Sequence, residues 1–145
     1  MSQVEDFLLQ AEEQEIVEAI RQAELNTSGE IRVHIEASTT LVHYDRALEV
    51  FQELNMNATK AANAVLIYVA VEDHKFVIYG DKGIDAVVPD NFWESTKNSI
   101  QQHFKNGNFK QGLVEGILTA GEELKAHFPW DEDDVDELPN EVSKG

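Results

Sequence analysis

The sequence predicts an α/β domain with a small mixed sheet, on three observations. Its 145 residues are about the length of one domain. Amphipathic segments of helical spacing alternate with short extended apolar runs. Those runs stand in an order, strand–helix–strand–strand, that makes the first pair parallel by a right-handed crossover and the second antiparallel by a hairpin. The domain is expected to occupy residues 1–130, followed by an acidic tail over 131–145.

From Val4 to Leu25, the residues Leu8, Leu9, Ile16, Ala19, Ile20 and Ala23 recur at helical spacing among seven acids and one base, Arg21. This predicts an amphipathic helix with an acidic outer face, ended by the turn formers Asn26-Thr27-Ser28-Gly29. Glu30 to Ala37, EIRVHIEA, puts Ile31, Val33 and Ile35 on one face and Arg32, His34 and Glu36 on the other, a strand expected to bury one side and keep the other polar. Tyr44 to Leu54 spaces Ala47, Leu48, Phe51 and Leu54 as a second helix, and Asn55 to Asn63 breaks that pattern.

Ala64 to Val71, AVLIYVAV, is continuously apolar and rich in β-branched residues, as a central strand covered on both faces should be. Glu72-Asp73-His74-Lys75 links it to Phe76-Val77-Ile78-Tyr79 as a hairpin. After the break at Gly80-Asp81-Lys82-Gly83, a third helix opens at Pro89-Asp90-Asn91, carries Phe92, Trp93, Ile100 and Phe104, and closes at Gly107. Asn91 or Asp90 with Glu94 reads as a capping arrangement, and Trp93 and Trp130 read as packing residues. Phe109 to Phe128 supplies the last helix through Leu113, Ile117 and Leu124, stopped by Pro129. Asp131 to Gly145 holds seven acids and one lysine with little to bury, which predicts a disordered tail.

Composition narrows the function. With 28 acidic residues against 11 Lys and Arg, the net charge of −17 repels phosphate backbones and anionic bilayers and favours divalent cations. Nucleic acid is therefore not an expected partner. The absence of cysteine excludes disulfides, thiolate metal sites and a cysteine nucleophile. The five histidines, at 34, 43, 74, 103 and 127, have no zinc-binding spacing. No secretory signal is legible, and the longest apolar run is far below the ~20 residues of a membrane span. The expectation is a cytoplasmic protein without membrane insertion.

Chain direction gives the candidate site. If the first two strands are parallel and the third returns, loops 26–30, 56–63 and 80–90 converge on one rim. They bring Thr27, Ser28, Glu30, Thr59, Asn63, Asp81, Asp85 and Asp90 together, hard oxygen donors suited to calcium or magnesium. The expected metal ligands are Glu30, Asp81, Asp85, Thr59 and Asn63. Plainer roles compete: a solvated loop for the aspartates, an ion pair with Lys60 or Lys82 for Glu30, and turn formation for Thr27 and Ser28. The tail acids 131–134 miss the EF-hand spacing, since Val135 and Asp136 stand at its fifth and sixth positions.

The segments TSGEIRVHIE at 27–36, Thr59 through NAVLIYVAVED to Asp73, and FVIYGDKGID at 76–85 resemble the TPM domain, a family of thylakoid, photosystem and membrane-associated members. The resemblance runs over roughly residues 5–130. It implies a three-layer α/β/α sandwich, Rossmann-like, around a small mixed sheet, with divalent-cation binding in some members and acid phosphatase activity in a plant member. It carries over to residues 27–30, Thr59, Asn63, Gly80, Gly83 and Asp85. Many members also have a secretion signal and a transmembrane or glycine-rich tail; this sequence shows neither.

Three readings stay open. In the favoured one the cation fixes the three loops and shapes a surface for a protein partner. In the alternative, a metal-dependent phosphohydrolase, a metal on Asp81, Asp85 and Glu30 polarises a phosphoryl oxygen while water attacks. Against it, the loops hold no P-loop, nucleophile elbow or phosphate-clamping arginine. In the third, the protein is an interaction module that needs no metal.

Overall fold

The computed structural model describes residues 10–59, 62–89, 91–129 and 142–144. Helix α1 (Gln10–Glu24) leads to strand β1 (Glu30–Glu36), helix α2 (His43–Glu53), a 3-10 turn at Met56–Ala58, and strands β2 (Ala64–Ala70) and β3 (Lys75–Gly80). A single helical turn, α3 (Lys82–Asp85), precedes helices α4 (Glu94–Lys105) and α5 (Phe109–Lys125) and the short strand β4 (Val142–Lys144). The sheet order is β3-β2-β1-β4. β1 runs parallel to β2, with Glu30 opposite Ala64, and β2 is antiparallel to β3, with Val65 opposite Gly80.

The alternation of side chains assigns the two faces. Ile31, Val33 and Ile35 of β1 and Val65, Ile67 and Val69 of β2 pack with Ile16 and Ile20 of α1, Ile100 of α4 and Leu113, Ile117 and Leu124 of α5. On the opposite face, Leu66 and Tyr68 of β2 meet Ala47, Val50 and Phe51 of α2 and Met56. The sheet is thus covered on both sides by helices, a three-layer α/β/α sandwich with a mixed sheet.

The helical layer is drawn close by glycines. A Cβ on Gly116 of α5 would stand 2.5 Å from Cγ1 of Ile100 in α4, and one on Gly121 would stand 2.8 Å from Cβ of Ala23 in α1.

Four expectations change. The polar face of β1 is buried along with the apolar one, because Arg32, His34 and Glu36 find partners or cover instead of solvent. The break at 80–83 runs into the helical turn α3, Lys82–Asp85. Helix α4 begins after Trp93, with no side-chain cap, so Asn91 does not cap it in the expected way. The tail was expected to be disordered, but Val142–Lys144 adds to the sheet parallel to β1, Val33 to Ile35 facing Val142 to Lys144. An ion pair from Lys144 to Glu13 ties this strand to α1. The expected helical residues 4–9, Lys60, Asp90, Trp130 and tail residues 131–141 and 145 lie outside the described residues.

Candidate functional site

The strand register builds the rim. The N–H of Glu30 donates to the Asn63 carbonyl at 3.3 Å, that of Asp81 to the Ala64 carbonyl at 2.9 Å, and that of Gly83 to the Ala62 carbonyl at 2.8 Å. Loops 26–30, 56–63 and 80–90 therefore meet at the edge the sequence assigned to them. Glu30, Thr59, Asn63 and Asp81 are all buried there, while Asp85 is exposed.

Asp81 is the N-cap of α3: one carboxylate oxygen, Oδ1, accepts from the Lys82 N–H at 2.7 Å. The other, Oδ2, is enclosed and has no hydrogen-bond partner among the described residues, in a residue only 7% exposed. Ile84, fully buried in the main core, anchors the turn, so Asp85 emerges one turn from Asp81. Partial desolvation raises the Asp85 carboxyl above its ordinary range, and the charge of Asp81 adds to the shift. Tyr79 joins the site, its phenol pushed up by burial and by the nearby Tyr44, Asp81 and Asp85. Its ring packs on Phe51 at 4.9 Å and Tyr44 at 5.4 Å. Sequence reasoning passed over Tyr79 because its position, last apolar residue of a strand, reads as packing.

Two of the other expected ligands, Thr59 and Asn63, are engaged in holding the loops. The Thr59 hydroxyl accepts from the Asn63 N–H at 3.3 Å, and the Asn63 amide donates to the Ser28 hydroxyl at 3.4 Å. Thr27 donates its hydroxyl to the Phe128 carbonyl and accepts from the Gly29 N–H at 3.1 Å. Among the described residues no three His, Cys, Asp or Glu side chains form a group able to hold a metal ion. Glu30, Asp81 and Asp85 share a rim without making such a group.

A second polar cluster lies on the buried polar face of β1. Arg46 of α2 grips Glu36 with two parallel hydrogen bonds, Nε to Oε2 at 2.9 Å and Nη2 to Oε1 at 2.8 Å, and Tyr68 donates its phenol hydrogen to Oε2. Burial opposes ionisation of Glu36, yet the bonds from Arg46, Tyr68 and His34 hold its carboxyl down to about 2. His34 is depressed chiefly by burial and is neutral. Its Nε2 faces Glu36 Oε1 at 3.0 Å and its Nδ1 faces the Ser143 hydroxyl at 2.9 Å. A carboxylate only accepts, so Nε2 carries the hydrogen and Nδ1 accepts from Ser143. The order Ser143–His34–Glu36 is that of a nucleophile, base and orienting acid. Glu36 is already neutralised by Arg46, and His34 is enclosed, so the line fastens β4 to β1.

A sequence profile of the TPM domain matches residues 1–123. Over the full length of both chains, the fold superposes on the NMR structure of the BA42 protein from the psychrophilic bacterium Bizionia argentinensis, with a TM-score of 0.93 and 61% identity. The N-terminal domain of a P. gingivalis protein is 21% identical with a TM-score of 0.69, covering 84% of this chain and 79% of that one. The N-terminal domain of the cg2496 protein from Corynebacterium glutamicum is 12% identical with a TM-score of 0.62, covering 95% and 81%. These two share the fold. No curated protein matches the sequence. No helix among the described residues is long and apolar enough to cross a membrane.

Proposed function

Starting from the fact that the chain belongs to the TPM domain family, we propose that it is a divalent-cation binding module whose acidic rim, loaded with calcium or magnesium, organises a surface for a protein partner. One observation carries the reading: Asp81 keeps an enclosed carboxylate oxygen without a hydrogen-bond partner among the described residues, beside a second carboxylate, Asp85, whose proton affinity is raised. Enclosing a carboxylate oxygen without a partner is costly, and a cation is a partner that would offset that cost. Asp81 Oδ2 and Asp85 would hold the ion, which prefers six or more oxygens and so takes the rest from carbonyls and water. Exposed Val87 lies just beyond Asp85, and exposed Tyr44 packs on Tyr79, so apolar groups flank the acidic pair as a docking surface requires.

The test is a calcium and magnesium titration of the isotope-labelled protein. Amide signals of residues 80–86 should move in wild type and stay still in Asp85→Asn. Signals that never respond would remove the proposal. A parallel assay of phosphate release from a phosphomonoester distinguishes the phosphohydrolase alternative: turnover that requires the cation and vanishes in Asp85→Asn replaces the binding-only reading.

A further inference from the structure

At the end of the sheet away from the acidic rim, an open groove of about 960 Å³ runs between the β2–β3 hairpin and the α4–α5 corner. β3 separates the two ends, six residues of about 3.3 Å each. The floor is apolar: Val69 and the half-buried rings of Phe76, Phe104 and Phe109. Phe104 stands edge-on to both neighbours, 5.7 Å from Phe76 and 5.4 Å from Phe109. A Cβ on Gly112 would lie 2.8 Å from its ring, so the ring rests directly on the α5 backbone. Gly107, at φ +78°, makes the tight turn that delivers Phe109 to the same floor. The groove is therefore preformed, and its volume lies in the range of small-molecule sites.

Its mouth has unusual charge for this chain. Lys75 and Lys105 line it, both exposed and neither in an ion pair among the described residues, together with His74, held in the left-handed region at φ 54°. Glu72 is the one acid on the lip. In a protein of net charge −17, two uncommitted lysines over an aromatic floor select an anion with an apolar body.

We infer that this groove binds a small amphipathic carboxylate, its chain on Phe76, Phe104 and Phe109 and its headgroup between Lys75 and Lys105. The experiment titrates the full isotope-labelled chain with octanoate and, separately, with its uncharged homologue 1-octanol. Octanoate should shift the amides of Phe76 and of residues 104–109, leave 81–85 unmoved, and bind roughly fivefold tighter than octanol. High salt should weaken octanoate and leave octanol unchanged. The double variant Lys75→Gln/Lys105→Gln should bind both alike, and Glu72→Gln should bind octanoate more tightly. An unshifted groove overturns the inference. So does equal affinity for the two ligands in wild type, or a preference for octanoate that survives high salt and both lysine substitutions in a chain whose spectrum shows it folded.

Discussion

Asp81 caps the single helical turn that ends at Asp85, so the two rim carboxylates ride on one short element pinned by Ile84 in the core. Their backbone positions cannot separate without breaking the cap or withdrawing Ile84.

Opposite effects are therefore expected from the two aspartates in the absence of cation. Asp81→Ala loses the bond to the Lys82 N–H and should cost about 1 kcal/mol. Asp85→Asn removes the repulsion at an exposed site and should gain about 0.3 kcal/mol after solvent screening. Urea denaturation of both variants measures the signs, and a loss of stability in Asp85→Asn contradicts the electrostatic picture.

Acid should weaken the fold in two stages. His34 is depressed in the folded chain, so below its ordinary value of 6.5 the unfolded state binds the extra proton and stability falls with pH. Glu36, ordinarily near 4.5, is held at about 2, so its stabilisation is complete above 4.5 and disappears as pH drops through 2, on the order of 3 kcal/mol. Denaturation midpoints across this range should decline from about pH 6.5 downward, and His34→Gln should remove the upper stage.

Arg46→Ala strands the Glu36 carboxylate in its enclosed position and should cost about 3 kcal/mol. In that variant the Glu36 carboxyl should titrate well above 2, which NMR of the side-chain carbon reads directly. An unmoved titration contradicts the assigned clamp.

Gly116→Ala forces a methyl onto Ile100, a side chain packed between α4, α5 and the sheet. It should cost about 2 kcal/mol, and Gly116→Ala with Ile100→Val should recover part of the loss. Equilibrium unfolding of the single and double variants checks the coupling.

The main elements were legible because their signals are local. AVLIYVAV announces a strand covered on both faces, and the spacing of Ile16, Ala19, Ile20 and Ala23 announces the buried stripe of α1. The rim followed from strand direction alone. What could not be read depends on distant partners. Arg32, His34 and Glu36 look like an exposed strand face until Arg46, Tyr68 and Ser143 close over Glu36 and His34, from 10, 32 and 109 positions away in the bonded pairs. The four residues of α3, Gly83 among them, are too few for helical periodicity to register. β4 sits in an acidic segment whose composition points to disorder, and its pairing with β1 is set by the fold.

The three residues of β4 also decide what the molecule presents to its own kind. An uncovered β1 would offer bare N–H and C=O groups of its central stretch as a template for neighbouring chains. Proteolytic trimming after residue 129 should thus leave a particle more prone to stick edge to edge at high concentration, even with its helices and remaining strands intact.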